Sequence, residues 1–181
     1  MDKGLRKSNF RFGCIHGKIE AVNNKSEAAI QRKVFSSPGI EINWSRHTKE
    51  RIRLFGYETP LSSGANRGNC VDLMGYNKEH ELYIIELKKK DSTEKLSDIN
   101  KQINDYASKV SLSLSDIEHD FKDVFLFDIK FKSIKKLILA PREYFEKNKG
   151  LRDQGIIYGH YKDKDITTRG SHSYIQIHLE K

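Results

Sequence analysis

Cysteine is nearly missing from this sequence: Cys14 and Cys70 are the two in 181 residues, and they form no metal or redox motif. Such sparse usage excludes a disulfide-stapled scaffold and fits a reducing compartment. Long apolar runs are missing too. Nothing is long enough to span a bilayer, and no apolar segment follows Met1-Asp2-Lys3-Gly4-Leu5-Arg6-Lys7 as a signal peptide would require. The expectation is a cytoplasmic chain with no membrane partner. Zinc spacing is absent among His160, His172 and His178, which read as structural or surface residues. There is no internal repeat and no low-complexity linker, so residues 1–181 read as one domain, with its core over 24–140 and additions at both ends.

What is there is charge. Charged residues make up 32% of the chain, hydrophobic residues 36%, and the net charge is +8. A basic excess on a globular chain favours a polyanionic partner such as nucleic acid.

The most informative stretch runs from Asn69 to Lys90. Cys70–Tyr76 and Glu81–Lys89 read as two strands joined by the polar turn Gly75-Tyr76-Asn77-Lys78-Glu79. The second strand is apolar at Leu82-Tyr83-Ile84-Ile85, as a strand covered on both faces should be. Side chains alternate along a strand, so Glu86 and Lys88 share a face, with Leu87 on the other. An antiparallel hairpin sets the start of one strand beside the end of the next, which brings Asp72 to Glu86 and Lys88. Two carboxylates at close range repel unless a cation lies between them or one takes a proton. A hard cation suits that oxygen set, and Lys88 stands where it can hold or deprotonate a water. The plainer reading is a strand-end salt bridge, which Glu-x-Lys alone would suggest.

The pattern Asp72…Glu86-Leu87-Lys88 resembles the signature of the PD-(D/E)XK nuclease superfamily, although Val71 stands where that signature often has proline. Gln102 and Tyr106, four apart on the helix expected after the hairpin, match the Q-x-x-x-Y motif of one of its subgroups. The resemblance implies a restriction-endonuclease-like αβββαβ core, a mixed central sheet flanked by helices in an α/β fold. It implies a deoxyribonuclease that uses Mg²⁺, with Mn²⁺ substituting, and leaves a 5′-phosphate and a 3′-hydroxyl. Asp72, Glu86, the Leu87 carbonyl and Glu27 would hold metal, Lys88 would act on water, and Gln102 and Tyr106 would position the phosphate. DNA is favoured over RNA. Restriction, repair, junction resolution and phage defence all stay open, as do homo-oligomers and protein partners. The competing class is a non-catalytic nucleic-acid-binding or assembly module on the same fold.

Several candidates carry two readings. The spacing predicts a helix over Asn24–Phe35, where Glu27 either completes a capping box with Asn24 or joins the metal site. Glu58, before Thr59-Pro60, is the alternative to Glu27 as the third acid. Arg67, in the Ser/Gly/Asn-rich loop Leu61–Gly68, and Lys89 and Lys90 at the strand end are candidate phosphate contacts. Asp91 and Glu94 read as a capping box for a helix whose stripe is Leu96, Ile99, Ile103, Tyr106 and Val110. Tyr106 serves equally as a core aromatic. Ser115 and Glu118 read as a second capping box, and Leu137–Ala140 as a buried strand.

Overall fold

The hairpin forms as its pattern dictates. Strands β3 (Cys70–Tyr76) and β4 (Glu81–Leu87) pair antiparallel, with Leu73 opposite Ile85 and Tyr76 opposite Leu82. The computed structural model describes residues 26–61, 70–162, 166 and 173–180. The remaining elements are α1 (Glu27–Phe35), β1 (Ile40–Asn43), β2 (Lys49–Pro60), α2 (Leu96–Leu112), α3 (Leu114–Phe125), β5 (Ser133–Pro141), α4 (Arg142–Lys147), β6 (Ile156–Tyr161) and β7 (Ile175–Leu179).

The sheet does not stay open. The seven strands join in sequence order and β7 pairs back onto β1, which closes a mixed barrel. The expected αβββαβ core with an open central sheet is therefore incorrect. The physical reason lies in β6 and β7, beyond the expected core of residues 24–140. Parallel pairing of β7 with β1, Ile40 opposite Ile175 through Asn43 opposite His178, uses an edge that an open sheet would leave bare. Local periodicity predicts strands but not which distant edge they will satisfy.

Alternation along each strand sorts the apolar residues into two cores. Ile40, Ile42, Ile52, Leu73, Tyr83, Ile85, Leu87, Leu137, Leu139, Tyr161, Ile175 and Ile177 come from all seven strands and fill the interior. Val34 of α1 packs against the same set. The alternate residues, among them Leu82, Ile84 and Ile138, face outward under Leu96, Ile99, Ile103, Tyr106 and Val110 of α2. Strand β4 is thus buried on both faces. Strand β2 shifts register between Leu54 and Gly56. Hence Tyr57 rather than Gly56 follows Ile52 and Leu54 toward the interior, against the simple alternation of the sequence.

The helix starts differ from their predicted caps. Ser26, not Asn24, caps α1, its side chain accepting from the Ala29 N–H, and Asn24 lies outside the described residues. Helix α2 begins at Leu96 after Lys95, with no side-chain cap, so Asp91 and Glu94 are not its capping box. Helix α3 starts after Ser113. Glu118 instead turns to Lys130 and the Phe131 N–H, tying down the chain that leads to β5.

The interior is narrow at Gly159, where an added Cβ would stand 2.4 Å from Ile177 Cγ2 and 3.3 Å from Leu139 Cδ2. Gly159→Ala should cost about 1–3 kcal/mol by overpacking. In an Ile177→Ala background, thermal denaturation should show a smaller cost, since the two positions touch. Strictly additive losses would contradict closure between β6 and β7.

Candidate functional site

At one end of the β3–β4 hairpin, on the outer face of the barrel, the predicted residues meet. Asp72 Oδ2 accepts the Leu87 N–H at 2.8 Å, which ties the start of β3 to the end of β4. Glu86 and Lys88 share the outer face as alternation requires, with Glu86 Oε1 and Lys88 Nζ 3.0 Å apart. Both are deeply buried: their side chains are 2% and 5% exposed. The backbone that carries them is fixed on the other side. The Lys88 N–H donates to the Leu139 carbonyl at 2.8 Å, and the Tyr161 hydroxyl donates to the Lys88 carbonyl at 2.9 Å.

Helix α1 brings Glu27, whose two oxygens divide their work. Oε1 lies 3.7 Å from Lys88 Nζ, and Oε2 accepts the Lys89 N–H at 3.2 Å. Glu27 therefore belongs to the site and not to a capping box. A fourth acid, Glu94, reaches Lys88 Nζ at 2.5 Å from the connection before α2. Tyr144 of α4 steadies that connection through its hydroxyl, which donates to the Glu94 carbonyl at 2.9 Å. Sequence reasoning missed Glu94 because a capping box explained it locally. Its distance of six positions from Lys88 follows no strand or helix period, so nothing in the pattern pointed to it.

Helix α2 turns Gln102 and Tyr106 to the same neighbourhood. The Gln102 amide donates to the Tyr106 hydroxyl at 2.8 Å. Burial holds the Tyr106 phenol above its usual pKa, and the charges of Glu86 and Asp72 add to that effect. Tyr106 also belongs to the core under α2, as the reading of it as a core aromatic expects. Glu58 goes elsewhere: it adopts a left-handed φ of 42° and its charge acts on Tyr57 and Arg32. Lys89 lies 3.4 Å from Asp91, and Lys90 is exposed. Arg67 lies outside the described residues.

The electrostatics are those of crowded carboxylates. Burial, then the charge of Glu86, raises the Asp72 pKa well above the carboxylate range, against the pull of the Leu87 N–H and Lys88. Burial likewise pushes Glu86 up to about 7, with Glu27 and Glu94 adding to it, while Lys88 pulls the other way. Burial works against the Lys88 ammonium, but Glu86, Glu94 and Glu27 together outweigh it and hold its pKa above the usual lysine value. The carboxylates around Lys88 thus favour its charged form in the metal-free protein.

A hard cation suits this donor set, which is all oxygen and includes a buried oxygen, Glu86 Oε2, with no hydrogen-bond partner among the described residues. Among those residues, however, no three acidic, histidine or cysteine side chains surround a common point. In this structure the positive charge amid the carboxylates is the Lys88 ammonium. Among the described residues no helix is long and apolar enough to cross a membrane. Comparison of the chain with protein-family models, curated proteins and solved structures finds no match.

The raised carboxylates set the pH dependence of the metal-free protein. Between about pH 4.5 and 7 the folded state holds protons that the unfolded chain has released, so stability falls as pH rises through that window. Glu41, lowered to about 2 by Lys49 and Arg51, acts in the opposite sense but below pH 4.5. With EDTA present, the melting temperature should drop by on the order of 5 °C from pH 5 to pH 8. Asp72→Asn, which retains an oxygen for the Leu87 N–H, should raise the melting temperature at pH 8 and leave it nearly unchanged at pH 5. An equal effect at both pH values would contradict the crowding of Asp72 and Glu86.

Proposed function

We propose that this protein is a metal-dependent nuclease that hydrolyses phosphodiester bonds of DNA, with its active site at the Asp72–Glu86–Lys88 end of the hairpin. The observation that supports this most is the gathering of Asp72, Glu86, Glu27 and Glu94 near Lys88 from four separate segments, with Glu86 and Lys88 deeply buried and the Asp72 and Glu86 pKa values raised. A structural ion pair needs one acid for one base. Additional buried acids cost stability, and such perturbed groups concentrate at functional sites.

Asp72, Glu86, Glu27 and the Leu87 carbonyl are the groups that would hold Mg²⁺, with Mn²⁺ as a substitute. When bound, the cation supplies charge for the phosphate and a water of lowered pKa. The residues of the chain do the rest. Lys88, kept as an ammonium, donates hydrogen bonds to the attacking water or to a phosphate oxygen and balances the charge that develops there. Glu94 fixes the position of that ammonium. The Gln102 amide and Tyr106 hydroxyl, already bonded to each other, offer a paired polar contact for orienting the phosphate. The basic excess of the chain holds the backbone of the substrate, so binding weakens with salt.

A second reading, a nucleic-acid-binding or assembly module without catalysis, is favoured by one observation: Lys88 already neutralises part of the cluster. Nicking of supercoiled plasmid separates the two. With Mg²⁺, the wild-type protein should nick, and Asp72→Asn and Glu86→Gln should each abolish nicking while remaining folded. Gln102→Ala should slow it by a factor on the order of ten to a thousand. Tyr106→Phe should slow it at unchanged melting temperature. No nicking by the wild type, or a wild-type rate in either carboxylate variant, would overturn the assignment. Wild-type rates in both Gln102→Ala and Tyr106→Phe would remove the α2 pair from the site and leave the carboxylates in place.

A further inference from the structure

A second feature lies at the opposite end of the same hairpin. There the β3–β4 turn, the β1–β2 turn and the C-terminal end of α3 enclose an open cleft of about 1240 Å³. Strand β4 separates it from Glu86 by a distance on the order of 20 Å. The volume exceeds the roughly 300–1,000 Å³ of sites for single small molecules, so a segment of polymer fits it better than one metabolite.

The walls combine aromatic rings and cations. Trp44, 40% exposed, is held in one orientation because its Nε1–H donates to Glu50 Oε2 at 2.6 Å. Glu50 is anchored in turn by the Asn77 amide and the Tyr83 hydroxyl, at 2.5 and 2.6 Å. The indole is thus presented to solvent with its rotation already restricted. At the α3 side, Phe125 is fixed by ring contacts to Phe121 and Phe55, with centroids 4.6 and 6.4 Å away. Phe127 follows the left-handed turn at Leu126 and is 50% exposed. Between the rings, Lys49 and Arg51 share the single carboxylate of Glu41, each at 2.8 Å. Arg51 also lies 5.0 Å over the Tyr174 ring. Arg53 is exposed and has no ion-pair partner among the described residues. Of the other carboxylates of the lining, Glu79 lies 3.4 Å from Lys78 and Glu81 lies 3.1 Å from Lys135, while Glu50 is held by neutral donors.

We propose that this cleft binds a single-stranded segment of nucleic acid, stacking bases on Trp44 and Phe127 while Arg51 and Arg53 meet the phosphates. Fixed exposed rings interleaved with cations are what an unpaired strand needs, because every base has a stacking face and every linkage a charge. Duplex DNA keeps its base faces stacked and cannot use such rings. The inference deepens the nuclease reading and rests on it for the choice of a DNA strand. It adds that the substrate has an unpaired region held away from the site of cleavage.

Trp44 is the only tryptophan, so its fluorescence reports on the cleft directly. The experiment titrates the full chain with oligothymidylate in EDTA and low salt, reading tryptophan fluorescence and, with a labelled oligonucleotide, anisotropy. Saturable quenching is expected, with little from a duplex of equal length. Trp44→Leu and Phe127→Ser should each weaken the anisotropy signal by roughly five- to a hundred-fold, the scale of one lost base stack. Melting temperatures confirm that both variants are folded, and the second variant keeps the test valid if the first is not. Binding without quenching, equal quenching by duplex, or unchanged affinity in both folded variants would overturn the proposal. So would no binding at all. Quenching that depends on protein concentration alone would make the cleft an interface between copies and overturn it as well. Plasmid nicking with Mg²⁺, run on the same preparations, keeps the two readings apart. Nicking without quenching removes the cleft and leaves the catalytic site. Quenching without nicking establishes the cleft and removes the nuclease reading.

Discussion

The arrangement of this site turns on a buried ammonium among carboxylates. Lys88 lies within 3.7 Å of oxygens from Glu27, Glu86 and Glu94, and Asp72 is held one hydrogen bond away through the Leu87 N–H. The groups come from four segments: α1 gives Glu27, the end of β4 gives Glu86 and Lys88, the connection to α2 gives Glu94, and the start of β3 gives Asp72. Coulomb attraction in this setting is strong, but so is the cost of taking Glu86 and Lys88 out of water. The balance is met by raising the Asp72 and Glu86 pKa values and by keeping Lys88 charged. Such an arrangement stays poised. A second cation, or the loss of a proton, shifts the charge balance of the whole cluster.

The barrel supplies the rigidity that this cluster needs. Strand β4 lies between β3 and the parallel β5, with its interior face packed and its outer face under α2. Glu86 and Lys88 therefore project from a backbone with little freedom, fixed through the Leu139 carbonyl and the Tyr161 hydroxyl. Tyr161 belongs to β6, so closure of the barrel and placement of Lys88 are linked. The same hairpin carries Asn77 at its far end, where it anchors Glu50 and through it Trp44. One pair of strands thus organises both the carboxylate cluster and the aromatic cleft.

Much of the local structure was legible in the sequence. The hairpin, the shared face of Glu86 and Lys88, the approach of Asp72 and the buried stripe of α2 all follow from periodicity and from antiparallel pairing. Gln102 and Tyr106 face one another because four residues make about one helical turn. What was not legible depended on distance in the chain. Closure of the sheet needs β7 to find β1, and no local pattern encodes that partner. Glu27, Glu94 and Glu118 each had a satisfactory local explanation as a cap, yet each turned to a partner set by the tertiary fold. Capping boxes are weak evidence where an acid also lies within reach of a lysine or a free backbone N–H.

The central claim is that the carboxylates around Lys88 form a site for a divalent cation. Electron paramagnetic resonance of added Mn²⁺ tests it without any assumption about substrate, since bound and free Mn²⁺ give different signal intensities. The account predicts saturable binding by the wild-type protein and competition by Mg²⁺. It also predicts loss of binding in a Glu86→Gln variant that keeps the wild-type circular dichroism spectrum. Absence of Mn²⁺ binding by the wild type, or undiminished binding by that folded variant, would contradict it.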